Sequence, residues 1–261
     1  MLESLDRGLA VLELVADRGE IRLAEVARIL GVSRATAHRV LSALQDRRFV
    51  EHRGDEHVYT LGSAVVSLAA KAATASVTAL ARPAMADLHA RTGETINLAL
   101  LVRGRIIWVA TVDAVHAIRL HNTIGEHVPP HATATGKAIL ATLPPNQQTS
   151  MLGPEPYRRF TEGTRTSLAE LREDLAHVKT DGYAVDNGEM EVGGVCVAAP
   201  ILAPDNRPLG AISISAIKAR FEGATRDQAG RAVRSWCRRI TATLRSSATP
   251  ASPGGPAAHP G

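Results

Sequence analysis

The feature that most constrains the fold lies in the first sixty residues, where two short helical patterns are separated by a glycine-containing turn. In the segment LAEVARIL, apolar residues recur from Leu23 to Leu30 at the spacing of one helical face, and Gly31 follows as a helix-terminating glycine. Ser33 then precedes the second pattern and is suited to capping its first turn. Two helices joined by such a turn form a helix-turn-helix, which sets the architecture of this part of the chain.

A hairpin pattern follows the second of these helices. Phe49–Val50 and Val58–Leu61 have the apolar, β-branched character of strands, and Gly54–Asp55 lies at the turn between them. An amphipathic helix precedes the whole arrangement, and its predicted apolar face comprises Leu5, Leu9, Leu12 and Ala16. Residues 1–62 are therefore predicted to form a winged helix-turn-helix domain.

The outward face of the second motif helix indicates a nucleic-acid partner. In a helix-turn-helix protein, the first residues of this helix reach base edges in the major groove, and arginines there also hold phosphates. Basic residues cluster on this helix and on the hairpin, whereas acidic residues lie mostly on the two earlier helices. We therefore predict binding to double-stranded DNA; the alternative is a three-helix packing module with a solvated basic face. The predicted DNA-binding residues are Ser33, Arg34, Ala35, Thr36, His38, Arg39 and Arg53.

The remainder of the chain predicts a second domain of the α+β class. An alanine-rich segment, 63–80, has the composition of a linker helix. Between residues 81 and 245, helical patterns at both ends enclose several strands, which predicts a largely antiparallel sheet. Residues 246–261 are rich in Pro, Gly, Ala and Ser without periodic apolar positions, so a disordered tail is expected.

Two of the predicted strands have one bulky face and one face of small or polar side chains. In VCVAAPI, Cys196 and Ala198 share a face, and in GAISISA, Ser213 and Ser215 share a face. The intervening aliphatic residues form the other side. Because cysteine is among the least exposed residue types, we expect the small face to line a ligand cavity. An ordinary sheet face covered by a helix is the alternative.

The stretch HATATGKAIL, residues 131–140, contains a Gly-Lys pair that enters an apolar helical pattern, as nucleotide-binding P-loops do. A P-loop requires glycine where this chain has His131, and Ser or Thr where it has Ala138. Both departures remove part of the chemistry, so the P-loop interpretation is rejected. The stretch instead predicts a helix capped by Thr133 or Thr135, with a glycine that lets a ligand approach the backbone.

Taken together, three motifs resemble those of the IclR family of transcriptional regulators, over a span from Leu5 to about Leu244. GVSRATAHRVLSAL resembles the recognition helix of the family, HATATGKAILA its effector-domain signature, and DNGEMEVGGVCVAAPI followed by GAISIS its C-terminal signature. The resemblance implies a winged helix-turn-helix joined by a linker helix to a GAF-like effector-binding domain, and no enzymatic activity. The effector-binding residues that it implies are Ala134, Thr135, Asp186, Cys196, Ser213 and Ser215.

The combined expectation is a cytoplasmic, sequence-specific regulator, a repressor rather than an activator, that acts as a homodimer or tetramer on a pseudo-palindromic operator. Its effector is expected to be a small organic acid whose carboxylate meets backbone N–H groups at the start of the helix containing Gly136. An ionised Asp186 would accept a hydrogen bond from the ligand, which favours a hydroxy- or oxo-acid. No cofactor, metal or membrane partner is expected.

The alternative to this reading is a redox- or metal-responsive regulator that uses Cys196 and nearby histidines. A second alternative is an enzyme with Cys196 as nucleophile and Asp186 as its partner. Four histidines could take part in these alternatives: His116, His121, His127 and His131. Their spacing is not the tight spacing typical of metal ligands.

Overall fold

The computed structural model describes residues 3–53 and 58–248, and the chain divides into two compact units, Met1–Ala75 and Ser76–Gly261. The division falls inside the predicted linker segment, 63–80. Within the described ranges, none of the helices is both long enough and apolar enough to cross a membrane.

The first unit has the elements of a winged helix. Its described residues form α1 (Glu3–Arg18), β1 (Glu20–Arg22), α2 (Leu23–Ile29), α3 (Arg34–Asp46), β2 (Val50–Arg53) and β3 (Val58–Leu61). Strands β2 and β3 pair antiparallel as the predicted hairpin, and β1 joins the other edge of β3. The sequence patterns do not predict β1, because three residues are too few to show a strand period. The predicted turn at Gly54–Asp55 lies outside the described residues.

Helix α1 packs on the core of this unit with a face that differs from the predicted one. Val11 and Val15 are fully buried, whereas Leu5 and Leu9 are 60% and 53% exposed. The prediction is therefore wrong for these two leucines. Apolar residues on α1 form two overlapping stripes, and the position of α3 decides which stripe is buried. Gly31, with φ of 63°, ends α2 in the left-handed conformation, as predicted.

The second unit has the predicted α+β architecture, with one antiparallel sheet in the order β5-β4-β8-β7-β6. Helix α8 continues through Ala248, so the first three residues of the predicted tail, 246–261, are helical. Residues 249–261 lie outside the described residues. The elements from the linker onward are α4 (Ser63–Thr92), β4 (Thr95–Val102), β5 (Arg105–Val112), α5 (Ala134–Leu140), α6 (Pro145–Leu152), α7 (Leu168–Asp181), β6 (Ala184–Asn187), β7 (Gly194–Leu202), β8 (Pro208–Ile217) and α8 (Gly223–Ala248).

A single helix, α4, replaces the two helices expected on either side of residue 80. Pro83 lies inside it, although a proline removes one helical hydrogen bond and usually ends or kinks a helix. The buried face explains the continuity, because apolar residues recur at helical spacing before and after the proline. These residues are Val77, Ala81, Ala84, Met85 and Leu88.

The two faces of the sheet carry different cores. Aliphatic residues such as Ile212 and Ile214 pack against α4 and α8. On the opposite face, small residues such as Ala198 and Ala211 pack against α5 and α7. Because the small face fills less space, it leaves room between the sheet and α5, and that room determines where the candidate site lies.

Candidate functional site

Small and polar side chains lie in rows across the sheet of the second unit. Residues opposite one another in antiparallel strands project to the same face. The shared face predicted for Cys196, Ser213 and Ser215 is confirmed by this register. One row comprises Asp186, Cys196, Ser215 and Thr95, and the adjacent row comprises Ala198, Ser213 and Asn97.

Helix α5 covers this face and begins with a side-chain cap. The Thr133 hydroxyl accepts a hydrogen bond from the Gly136 N–H at 3.0 Å and donates one to the Pro129 carbonyl at 2.8 Å. A Cβ added at Gly136 would overlap the backbone of Pro130. The glycine therefore admits the neighbouring proline segment, not a ligand, which corrects the prediction for this position. The Gly136 N–H already donates to the Thr133 hydroxyl, so this N–H group is not free to bind an effector carboxylate.

A cavity of about 50 Å³ lies between the start of α5 and the polar face of the sheet. The structure brings all six predicted effector-binding residues to its walls: Ala134, Thr135, Asp186, Cys196, Ser213 and Ser215. Trp108, Leu120, His121 and Met190 are among the residues that complete the lining. Pockets for drug-sized ligands typically measure about 300–1,000 Å³. The cavity in this arrangement therefore suits a molecule of only a few heavy atoms.

The hydroxyl of Ser213 is a buried polar group of the cavity with unused hydrogen-bonding capacity. Its Oγ is buried and has no hydrogen-bond partner within the described part of the chain. In contrast, the Ser215 Oγ accepts a hydrogen bond from Asn97 Nδ2 at 3.2 Å, and Thr111 holds the Asn97 side chain at 2.9 Å. A buried polar group without a partner costs roughly 1–3 kcal/mol, which an oxygen atom of a ligand would offset.

Asp186 is buried on the cavity wall, with 4% of its surface exposed. Burial raises the pKa of its carboxyl group from 3.8 to about 7, and the charge of nearby Glu189 contributes to the rise. The backbone N–H of Glu189 donates to Asp186 Oδ1 at 2.8 Å and partly opposes the shift. Near neutral pH, Asp186 is therefore able to donate as well as accept hydrogen bonds. The expected role, an ionised acceptor, covers only one of its two protonation states.

The raised pKa of the Cys196 thiol disfavours the redox and metal alternatives. Burial, followed by the charge of Asp186, raises the pKa of its thiol well above the usual value. A protonated thiol is a weak nucleophile and a weak metal ligand. Of these four histidines, His121 lines the cavity, whereas the His131 side chain is hydrogen-bonded to the Arg158 carbonyl. No cluster of His, Cys, Asp and Glu suited to a metal ion occurs in residues 3–53 and 58–248.

Sequence reasoning missed a buried ion-pair network beside the cavity. Lys137 exposes only 1% of its side chain, and its Nζ lies 2.6 Å from Glu189 Oε1 and 3.1 Å from Asp174 Oδ2. The Gly-Lys pair of the 131–140 stretch is the sequence signal for this lysine, and its P-loop interpretation does not indicate an ion pair. A wider charged cleft of about 410 Å³ opens on this side of the network. Several of the charged groups there pair with one another, as Arg165 does with Asp174.

The predicted DNA-binding residues of the first unit lie at the start of α3 and on the hairpin. Ser33 caps α3, because its Oγ accepts a hydrogen bond from the Thr36 N–H at 3.2 Å. The Thr36 and Ser33 hydroxyls also lie 3.0 Å apart. Arg53 is exposed on β2, and the residues exposed on the first two turns of α3 are Arg34, Ala35, His38 and Arg39. The helix therefore presents a basic surface over a core formed by Ala37 and Leu41.

Comparisons with known proteins match both units. The family model for the IclR helix-turn-helix domain matches residues 4–54, and the model for the C-terminal region of bacterial transcriptional regulator IclR matches residues 69–242. The transcriptional repressor IclR of Escherichia coli strain K12 is 33% identical over 224 residues, which cover 82% of this chain and 80% of that protein.

Solved structures agree with these matches. The crystal structure of the Thermotoga maritima IclR superposes with a TM-score of 0.62 at 25% identity, covering 94% of this chain and 100% of that one. An IclR homologue from Microbacterium hydrocarbonoxydans, crystallised with 4-hydroxybenzoate, gives a TM-score of 0.58 at 25% identity, with 93% and 99% of the two chains covered.

Proposed function

The chain belongs to the IclR family of bacterial transcriptional regulators, and we propose that it is a repressor whose operator binding is controlled by a small hydroxy- or oxo-acid. Membership of this family makes it a DNA-binding regulator with an effector-binding domain and not an enzyme. The sign of regulation rests on relatives that are named repressors, such as the Escherichia coli protein.

The unengaged Ser213 hydroxyl is the observation that carries the effector proposal. It is buried in a cavity whose walls contain all six residues implied by the family resemblance. A carboxylate or hydroxyl oxygen of an acid would satisfy it. The Thr135 side chain, 1% exposed at the start of α5, lines the cavity together with this hydroxyl. These hydroxyl groups would bind the acid beside the backbone N–H groups at the start of α5, of which the Gly136 N–H is already engaged by Thr133.

Asp186 supports a ligand with an additional oxygen. Since its pKa is raised to about 7, it would accept a hydrogen bond from a ligand hydroxyl when ionised, and would donate to an oxo or carboxylate oxygen when protonated. A plain fatty acid offers no second oxygen group for this contact. The cavity volume of about 50 Å³ favours three-carbon acids such as lactate and pyruvate. A relative crystallised with 4-hydroxybenzoate extends the range of acids to be tested to an aromatic one.

For the DNA side, we propose that α3 enters the major groove with Arg34 and Arg39 facing bases or phosphates. A homodimer or a dimer of dimers would place two such helices on a pseudo-palindromic operator, because a two-fold protein reads two-fold DNA. The wing residue Arg53 would contact the sugar-phosphate backbone beside the groove.

A titration of operator DNA tests the proposal directly. Operator fragments would be selected in vitro with the full chain, and their affinity measured by mobility shift with lactate, pyruvate, 4-hydroxybenzoate or propionate present. Propionate is the matched control, since it has the carboxylate and chain length of lactate without the hydroxyl. We expect lactate or pyruvate to change the DNA affinity about five- to 150-fold, the usual range of allosteric coupling. Equal effects of propionate and lactate would refute the hydroxy- or oxo-acid assignment, and no effect of any acid would refute effector control by these compounds.

A further inference from the structure

Lys137 and Glu189 form an ion pair in which both side chains are buried. Their side chains are 1% and 7% exposed, and Nζ lies 2.6 Å from Oε1. Taking an ammonium and a carboxylate out of water costs several kcal/mol for each group, so such pairs occur only where each charge is compensated. Neither side chain lines the 50 Å³ cavity, and both lie on the wall of the charged cleft of about 410 Å³. Their burial therefore calls for a role other than direct contact with a ligand in the small cavity.

The pair joins the two walls of the effector cavity. Lys137 lies on α5, three residues after Ala134 and two after Thr135, which line the cavity. Glu189 lies in the turn between β6 and β7, three residues after Asp186. Since the Glu189 N–H donates to Asp186 Oδ1 at 2.8 Å, the position of Glu189 also fixes the orientation of the Asp186 carboxyl group.

Two threonines also bind the backbone of this turn. Thr161 Oγ1 donates to the Gly188 carbonyl at 2.7 Å, and Thr164 Oγ1 donates to the Glu189 carbonyl at 2.6 Å. The second carboxylate oxygen, Glu189 Oε2, is buried and has no hydrogen-bond partner in the described ranges. Burial raises the pKa of Glu189 and Lys137 opposes that rise, so the charge on this carboxylate depends on the lysine.

We propose that Lys137 and Glu189 are positioning residues for the effector, and that their ion pair holds the turn at residues 187–193 against α5 so that Asp186 faces the ligand. This inference deepens the proposed function and rests on it. Lys137→Met removes the ammonium and leaves a buried carboxylate without compensation. The turn then leaves α5 or becomes mobile, and Asp186 loses its fixed orientation.

Hydrogen–deuterium exchange on the full chain without ligand tests the positioning role. We expect Lys137→Met to accelerate exchange of amides at residues 187–194 by at least about tenfold, with strands β4 and β8 unchanged. Lys179→Met is the matched control, because Lys179 is an exposed lysine on α7. Unchanged exchange at 187–194 in Lys137→Met would overturn the inference.

A double variant separates positioning from general stability. Lys137→Met/Glu189→Leu removes both charges and fills the space with apolar atoms, so its melting temperature should return toward that of the wild type. We expect residues 187–194 to remain fast to exchange in it, because the link to α5 is still absent. Wild-type protection of this turn in a double variant of wild-type stability would show that the ion pair does not position it.

Calorimetry with lactate and pyruvate connects the turn to ligand binding. We expect both the single and the double variant to bind these acids at least about tenfold more weakly than the wild type, while operator affinity without acid is retained. If the wild type binds neither acid but the exchange pattern changes as expected, the proposed effector fails and the positioning of Asp186 stands. If acids bind the wild type and the Lys137→Met variant equally well, the positioning role is refuted.

Discussion

Asp186 lies directly opposite Cys196 in the register of β6 and β7, and both side chains line the same small cavity. Desolvation raises the pKa of the Cys196 thiol, and the charge of Asp186 raises it further. The thiol therefore stays protonated. Burial and the charge of Glu189 raise the pKa of Asp186 to about 7.

The first prediction concerns Asp186 and the pH dependence of folding. A carboxyl group whose folded pKa is raised from 3.8 to about 7 binds more protons in the folded state, so its contribution to stability falls as pH rises between these values. Asp186→Asn removes this dependence. We expect the stability of the variant relative to wild type, measured as the free energy of unfolding, to be about 2 kcal/mol higher at pH 8.5 than at pH 5.5.

Urea unfolding of both proteins at the two pH values measures this difference. Asp113→Asn, at an exposed carboxylate 3.9 Å from Arg119, is the control and should show little change between them. An Asp186→Asn variant whose relative stability is the same at both pH values would mean that this carboxyl group is ionised normally.

The second prediction concerns the two cavity serines. Ser213→Ala/Ser215→Ala should fold and bind operator DNA, but bind a responsive acid roughly 1–3 kcal/mol more weakly, because two hydrogen bonds of about 0.5–1.5 kcal/mol are lost. Calorimetry and operator titration with lactate or pyruvate measure the effect. Ser150→Ala, at an exposed serine of α6, is the control. A double variant with wild-type ligand affinity would place the effector elsewhere and leave the serine face as part of the core.

The third prediction concerns the exposed arginines of α3. Arg39→Ala should weaken specific DNA binding by roughly 1–3 kcal/mol if its guanidinium reads a base. Arg34→Ala should weaken specific and non-specific binding alike if it holds a phosphate, and should reduce the salt dependence. Mobility-shift titrations at several salt concentrations distinguish the two, with the exposed Arg207→Ala of the second unit as control. Full affinity in both α3 variants would rule out α3 as the recognition helix.

The fourth prediction concerns Gly136. Because a Cβ at this position would overlap the Pro130 backbone, Gly136→Ala should destabilise the protein by about 1–3 kcal/mol. Gly8→Ala is the matched substitution, since nothing lies within 4 Å of a Cβ there and alanine favours the helix by up to about 1 kcal/mol. Thermal or urea unfolding should therefore give opposite signs for the two variants. A stable Gly136→Ala protein would show that the proline segment can move away.

The site itself divides into what local patterns specify and what the fold specifies. Strand alternation alone placed Cys196 on the small face of its strand, and Ser213 and Ser215 on the small face of theirs, because side chains of a strand alternate with a period of two. The register of β7 and β8 decided that the two small faces coincide. The positions of Asp186 and Thr135 came from a family resemblance. Neither source indicated that the cavity is as small as about 50 Å³, since its volume depends on how closely α5 approaches the sheet.

What the sequence determined by itself was the local structure and its periodicity: the helix-turn-helix with the Ser33 cap, the hairpin, and the two-sided strands around Cys196 and Ser213. These features depend on interactions between residues a few positions apart, and such interactions can be read from spacing. Tertiary structure alone decided which apolar residues of α1 are buried and that α4 continues through Pro83. It also decided that Lys137 pairs with Glu189, 52 residues away. Burial and charge pairing across such separations depend on the packing of whole elements, because the free energy of a buried charge is set by the groups that surround it in space and not by its neighbours along the chain.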